Sequence, residues 1–265
     1  MTRAVRARLR LAAAVLWAAF SWGCGGKEEK DMTPVEWLKE NTIILDQLRS
    51  YDKRELHEGI NRFLQLGRER GTDVVNYILN DPNLEDYRIE VVLARILAEW
   101  KDPRAIPKLL VNLKERDAGA ASIAKEGLCL FGDHPQVIEA MRETIADPDV
   151  NNRLAAAEIL SEMKGPAATS LLMDLFKAEE EVDIRGICLI GIINCRDPRR
   201  TEILVGALAD GDLGIRQQAW DALILKKPPV IFDPSGEPLM RLQAIKELRQ
   251  WIETSSRKKD PKAGS

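Results

Sequence analysis

The side chains best suited to nucleophilic or metal chemistry are two histidines and four cysteines, and their spacing assembles no site. His57 and His134 lie far apart in the chain, and neither has a cysteine or serine nucleophile implied by its spacing. The sequence contains no glycine-rich phosphate loop and no histidine or carboxylate motif with metal spacing. We therefore predict a protein that is not an enzyme and that uses no cofactor and no metal.

Three of the cysteines are predicted to be structural. Cys188 and Cys195 lie on one predicted helix, about 10 Å apart along its axis, which is beyond the span of a disulfide. Cys129 belongs to an earlier helix. We expect all three to be free, buried thiols that pack as small apolar side chains.

Residues 1–23 have the layout of a secretory signal peptide. Four arginines precede the apolar run 11–20, which is about half the length that a membrane span needs. The segment Gly23-Cys24-Gly25-Gly26 that follows resembles a bacterial lipoprotein processing site, with Cys24 as the lipidated residue, although Ser21 and Trp22 depart from that pattern. Ordinary cleavage and an uncleaved anchor are the alternatives.

The resemblance to a lipoprotein implies export to the periplasmic face of the cell envelope, and the absence of Asp at position 25 indicates the outer membrane. Loss of residues 1–23 would remove four arginines and no acid, and would take the formal net charge from −3 to −7. Neither this charge nor export fits a nucleic-acid partner.

A period of 31 to 32 residues organises the rest of the chain. Prolines recur at this spacing at Pro103, Pro135, Pro166 and Pro198. An arginine column comprises Arg88, Arg153, Arg185 and Arg216. An acid column comprises Asp117, Asp149, Glu181 and Asp212, four residues before the arginine-column positions. Such a period is typical of stacked helical repeats.

One repeat shows how the period encodes a pair of helices. Asp149 is placed to cap a helix with an apolar stripe, and Gly165 is expected to stop that helix in the left-handed conformation. Pro166 then suits the first position of a second helix. Gly71, one period before Pro103, is expected to open a helix over 72–80.

These residues carry a resemblance to HEAT-repeat proteins. Asp149-Val150 with Arg153 and two alanines matches the repeat best, and the unit at Asp117 departs from it because Ala121 replaces the arginine. The resemblance implies an all-α fold, an α-solenoid of about five to six helical hairpins with N- and C-terminal capping helices.

We expect one domain from 34 to 254. The sequence divides into a signal peptide (1–23), a lipidated linker (24–33), a capping helix (34–50), repeats (51–225), a loop and C-terminal cap (226–254) and a disordered tail (255–265). The capping helix opens with the capping box Thr33-Pro34-Val35-Glu36. The C-terminal cap is expected to turn Leu242, Ile245, Leu248 and Trp251 inward.

The arginine and acid columns are interpreted as architecture, through helix capping and ion pairing between repeats. For binding, we expect the second helix of each pair to line the concave side. Its candidate protein-binding cations are Arg104, Lys108, Arg142, Arg199 and Arg200.

We therefore expect a monomeric, membrane-tethered scaffold that binds another envelope protein or a peptide. One alternative is an enzyme like the bilin lyases, which have a similar helix-pair repeat, and another is an assembly or stress factor of an envelope complex. The sequence identifies no partner.

Overall fold

A computed structural model describes residues 31–84, 86–114 and 117–259, and this part of the chain contains fourteen α-helices and no strand. The signal peptide, Cys24 and residues 260–265 lie outside it. The helices are α1 (Pro34–Glu40), α2 (Ile44–Arg49), α3 (Lys53–Gln65), α4 (Arg68–Asn80), α5 (Tyr87–Glu99), α6 (Ala105–Leu113), α7 (Ala118–Leu130), α8 (Pro135–Thr144), α9 (Val150–Glu162), α10 (Pro166–Ala178), α11 (Val182–Asn194), α12 (Arg200–Ala207), α13 (Leu213–Ile224) and α14 (Pro238–Lys259).

The helices from α5 onward form two layers. The inner helices, α5, α7, α9, α11 and α13, pack against one another along the stack, whereas the outer helices, α6, α8, α10 and α12, touch one another at few points. In a curved stack the more closely packed layer lies on the inside. We infer that the concave face belongs to the inner helices, and not to the layer of Arg104 and Arg199 as the sequence led us to expect.

Small side chains allow the inner helices to approach closely. The residues at the stacking position are Val91, Ala124, Ala156, Cys188 and Ala219, and each has 0% of its surface exposed. Neighbouring helices can pack tightly only where the side chains at the contact are small. The core is continuous along the stack, as expected of a solenoid.

Each outer helix packs most closely with the inner helix that follows it, as α10 does with α11 and α12 with α13. The sequence indicated the opposite order within a hairpin, with Asp149 opening the first helix of the pair. Short turns join the consecutive helices from α5 to α13, so the period alone does not say where a hairpin begins.

Gly165 is required by a close contact and not by a left-handed turn. Its φ of −166° is extended, and α9 has already ended at Glu162. A Cβ at this position would lie 2.1 Å from Oδ1 of Asp133. The Asp133 carboxylate comes from the turn before α8 and accepts hydrogen bonds from the N–H groups of Ala167 (2.9 Å) and Ala168 (3.0 Å). Asp133 thus caps α10 from the previous hairpin.

Gly71 also serves a close contact. It lies inside α4, which begins at Arg68, and does not open that helix. A Cβ there would lie 2.1 Å from the ring of Trp100.

At the N-terminal end, the predicted capping box is present, because Thr33 and Glu36 cap each other reciprocally. The single helix expected over 34–50 is instead two helices, α1 and α2, separated by a turn at 41–43. Trp37, which the sequence did not single out, is fully buried and packs edge-on against Phe63, with ring centroids 5.2 Å apart.

At the C-terminal end, α14 extends to Lys259, so residues 255–259 of the expected disordered tail are helical. Ile245 and Leu248 are buried as expected, but Leu242 is 58% exposed. The loop before α14 is anchored to the stack through Phe232, which is buried against Trp220 with ring centroids 5.6 Å apart. Within the described residues, no helix has the length and apolarity that a membrane crossing requires.

The contact at Gly165 can be tested by substitution. We expect Gly165→Ala to lower the free energy of unfolding by about 2 kcal/mol, because the new methyl group displaces the Asp133 carboxylate from the end of α10. Gly206→Ala is the matched control: Gly206 lies in α12 and a Cβ there would meet nothing within 4 Å. The control should be neutral or stabilise the protein by up to about 1 kcal/mol. Equal effects of the two substitutions in urea unfolding would contradict this interpretation.

Candidate functional site

The arginine column bridges consecutive hairpins, and Arg153 shows the geometry. Its Nε and Nη2 donate to the two carboxylate oxygens of Glu179, at 2.8 and 3.1 Å. Its Nη1 donates to the carbonyl oxygens of Asp147 and Pro148, at 3.1 and 3.2 Å. One guanidinium therefore binds its own inter-hairpin turn and the next one.

Arg185 and Arg216 repeat this arrangement. Arg185 binds both carboxylate oxygens of Asp210 at 3.0 Å and donates to the carbonyls of Glu179 and Glu180. Arg216 donates to the carbonyls of Asp210 and Gly211 at 2.8 Å. Within the described residues no further hairpin of the same kind follows α13, and the loop carbonyl of Pro234 accepts from Nε of Arg216 at 2.7 Å instead. We call these three arginines with their acceptors the arginine ladder.

The acids of the ladder are not those of the acid column. Asp117, Asp149 and Asp212 each cap their own helix, with a side-chain oxygen that accepts from backbone N–H groups. Glu181 makes no such bond, in keeping with the poor capping ability of glutamate. Glu179 and Asp210, which lie six residues before Arg185 and Arg216, are the bridging carboxylates. Glu179 and Asp210 are separated by about one period, and this spacing is the sequence signal that could have identified them as the bridging carboxylates.

Arg88 does not belong to the ladder. It lies two residues after its N-cap, Asp86, whereas Arg153 lies four residues after Asp149. From that position its Nη2 donates to the carbonyl of Ser50 at 2.7 Å, and its guanidinium lies 3.8 Å from the ring centroid of Tyr51. Arg88 thus ties α5 to the N-terminal cap.

The five cations predicted to bind a partner lie in or beside the outer helices, and four hold the fold together. Arg104 and Arg199 each chelate the aspartate two residues earlier, Asp102 or Asp197, and hold its pKa below the usual value. Lys108 pairs with Glu90, and Arg200 donates to the carbonyls of Ile193 and Cys195. Among the described residues, Arg142 has a single ion-pair contact, a long one of 3.5 Å with Glu139. The structure does not bring these cations together as a site.

One concavity of about 670 Å³ lies on the outer helices α10 and α12, where Arg199 and Glu202 line it. A second concavity lies on the inner helices. It is a groove of about 670 Å³ centred where α7 and α9 pack less closely than α5 with α7 or α9 with α11. We call it the inner groove. Its lining comes from four consecutive inner helices and includes Arg95, Lys125, Glu126, Cys129, Glu158, Glu162, Ile187 and Ile190.

The two cations of the inner groove are neutralised by its own acids. Arg95 pairs with Glu99 at 2.8 Å and lies 3.7 Å from Glu126, and Lys125 pairs with Glu158. Glu162 is exposed and forms no ion pair within the described part of the chain. On the other side of the groove, Ile190 is 48% exposed. The groove therefore offers one unpaired carboxylate next to an aliphatic surface.

The thiols of Cys129 and Cys188 have little nucleophilic character. Burial raises the pKa of Cys129 to about 12, with a smaller contribution from the nearby Glu162 carboxylate, and burial likewise raises the pKa of Cys188 to about 12. Cys129, Cys188 and Cys195 are all free, but only Cys188 is fully buried, whereas we expected all three to be. A thiol with such a pKa is protonated at neutral pH.

The histidines lie outside the inner groove. His57 contacts the carbonyl of Lys53 through Nδ1 at 2.9 Å, and the half-buried ring of His134 packs against Phe131. In the segments 31–84, 86–114 and 117–259, no three His, Cys, Asp or Glu side chains lie close enough together to hold a metal ion.

The ladder makes a pH-dependent contribution to stability that Glu179→Gln should remove. The Arg153 guanidinium holds the pKa of Glu179 below its ordinary value of 4.5, and the Glu179 side chain is only 3% exposed. The ionised carboxylate therefore stabilises the fold fully above about pH 5, and this contribution is lost as the pH falls through the lowered pKa. We expect Glu179→Gln to cost about 2 kcal/mol at pH 7, with a smaller difference from the native protein at low pH.

Glu180→Gln is the control for this experiment, since Glu180 is the exposed neighbour and makes no ion pair among the described residues. Urea unfolding of the three proteins from about pH 7 to pH 3 measures the effect. The interpretation is wrong if both variants are equally stable at pH 7.

Comparison with known proteins agrees with the repeat pattern. Residues 111–192 match the family model for HEAT repeats. No curated protein matches the chain.

Among solved structures, a chain from the Pds5–Scc1 complex has a TM-score of 0.46 and 13% identity, and the match covers 82% of this chain and 41% of that one. This chain thus spans less than half of that protein's length. The complex of CpcE and CpcF of phycocyanin lyase from Nostoc sp. PCC7120 has a TM-score of 0.32 and 16% identity, with 85% and 97% covered. Human deoxyhypusine hydroxylase in complex with glycerol has a TM-score of 0.29 and 17% identity, with 82% and 94% covered. The family match and the two layers of helices agree that this chain is an α-solenoid of HEAT-like hairpins.

Proposed function

We propose that this chain is a non-catalytic scaffold that binds a segment of another protein along its inner face. The observation that carries this proposal is the inner groove, which crosses four consecutive inner helices and combines charged side chains with exposed aliphatic ones. A surface of this length and mixed chemistry suits an extended chain, because successive side chains can contact successive helices.

The inner groove has few side chains that could take part in catalysis. Its one thiol, Cys129, has a pKa of about 12, and both histidines lie elsewhere. Its carboxylates Glu126 and Glu158 are engaged in ion pairs. Binding without chemistry is the role that we assign to it.

We further propose that the scaffold is exported and held at the periplasmic face of the cell envelope, in the outer membrane, through a lipid on Cys24. Nine residues separate Cys24 from Pro34, where α1 begins. At about 3.3 Å per residue, this linker spans roughly 30 Å. The solenoid would then act close to the membrane surface.

Site-specific photo-crosslinking tests which face binds. We expect a photoreactive amino acid at position 190, in the inner groove, to crosslink a partner in intact cells. The same amino acid at Val111, which is 58% exposed on the outer helix α6, is the matched control and should give no such product. A partner captured at position 111 and not at position 190 would place binding on the outer face and contradict the proposal.

The lipid anchor is tested separately by Cys24→Ser. This variant cannot be lipidated, so we expect the protein to move from the membrane pellet to the soluble fraction after cell lysis. Ser21→Ala, next to the same site, keeps the cysteine and should leave the protein in the membranes. Retention of the Cys24→Ser protein in the membrane pellet would favour an uncleaved anchor.

A further inference from the structure

The inner face changes in chemistry from one end to the other. The lining from α7 and α9 carries the carboxylates of the groove, whereas α11 contributes Ile187 and Ile190. One period beyond Ile193 and Asn194 of α11, the inner helix α13 ends in Ile224, which is 50% exposed, and Leu225 follows it, 81% exposed. By the same register, the exposed Asp221 stands on α13 at the position that Ile190 has on α11. The face is therefore acidic around α9 and aliphatic over α11, and its aliphatic side chains on α13 are confined to the C-terminal end of that helix.

Glu162 determines that the acidic end of the inner face favours a basic ligand over an anionic one. The cations Arg95 and Lys125 are already paired with Glu99 and Glu158, so they have little left to offer an anionic ligand. Glu162 is exposed, unpaired with any described residue, and close enough to Cys129 to raise the pKa of its thiol. A carboxylate in this position favours a lysine or arginine side chain and disfavours phosphate groups, including those of lipids and nucleic acids.

The aliphatic end provides a contact that a charged side chain cannot replace. Ile190, Ile224 and Leu225 each leave about half or more of their surface in water. Covering such side chains with a partner's leucine, isoleucine or valine removes apolar surface from water on both sides. Exposed apolar surface rimmed by polar groups commonly marks a protein interaction site.

We propose that the bound segment carries a basic side chain that pairs with Glu162, followed along the stack by aliphatic side chains that cover Ile190, Ile224 and Leu225. This inference rests on the proposed function and specifies the chemistry of the partner. Neighbouring helices lie about 10 Å apart, so an extended segment of about ten residues reaches from α7 to α13.

Three labelled peptides of about ten residues test the inference by fluorescence anisotropy on the purified chain without residues 1–23 and with Cys24→Ser. One has a lysine half and a leucine half separated by serine and glycine, the second replaces the lysines with glutamates, and the third replaces the leucines with serines. We expect the lysine–leucine peptide to bind at least about tenfold more tightly than the other two. Its affinity should fall as the salt rises from about 50 to about 300 mM.

Two pairs of variants locate the peptide. We expect Glu162→Lys and Ile190→Ser each to weaken binding by about tenfold. The controls Glu143→Lys on α8 and Val111→Ser on α6 make similar changes at exposed outer positions and should leave binding unchanged. Circular dichroism of each variant, with native-like helicity and melting, shows that lost binding is not lost folding.

Several results would overturn the inference. If the glutamate–leucine peptide bound more tightly than the lysine–leucine peptide, the bound segment would not carry a basic side chain. Unchanged binding of the lysine–leucine peptide by the Glu162→Lys variant would show that Glu162 does not pair with it. A dimer in sedimentation that Ile190→Ser abolishes would make a second copy of the chain the occupant. If no peptide binds while position 190 still crosslinks a partner in cells, the inference fails and the proposed function stands; if neither occurs, both fail.

Discussion

The C-terminal half of the stack depends on one repeated interaction, the guanidinium of the arginine ladder that joins two consecutive inter-hairpin turns. Arg153 and Arg185 each hold the carbonyls of their own turn and the carboxylate of the next, and the side chains of Glu179 and Asp210 are 3% and 12% exposed. An arginine fork in this arrangement leaves the spacing of the two turns little freedom. Combined with the small side chains between inner helices, it fixes the spacing of the hairpins from α9 to α13.

The close packing of the inner helices affects the shape of the surface that is open to a partner. Because the inner helices approach more closely than the outer ones, we infer that the stack curves toward them and that their free side chains converge on a shared concave surface. That surface opens into a groove where α7 and α9 separate. Ala121 stands in α7 where the later repeats have the ladder arginine, and no arginine among the described residues joins the turn before α7 to the turn before α9. The joint between α5 and α7 has no ladder arginine either, since Arg88 binds Ser50, yet these helices pack closely through small side chains.

The sequence predicted the fold well because the period is a local property. The helices, the proline-led turns, the capping box at Thr33 and the buried alanines follow from spacing and residue type.

Properties that depend on contacts between repeats were predicted less well. Gly165 looked like a helix stop, and its reason is a carboxylate contributed from 32 residues earlier. Arg88 shares the spacing of the ladder but lies two residues closer to its N-cap, which directs it to another partner. The period also does not say which layer packs more closely, so the sequence alone could not choose the concave face, and the inner groove was missed with it.

The claim that the inner helices form the concave layer is tested most directly by distances in solution. Pairs of spin labels on unnatural amino acids at Ser122 and Gln217 span α7 to α13, and pairs at Val111 and Gly206 span α6 to α12. All four positions are exposed, and each pair crosses three hairpin intervals, about 30 Å, within the range of pulsed electron paramagnetic resonance. We predict a clearly shorter distance for the inner pair than for the outer pair. Equal distances would indicate a straight stack, and a shorter outer distance would place the concave face on the outer helices and contradict the account.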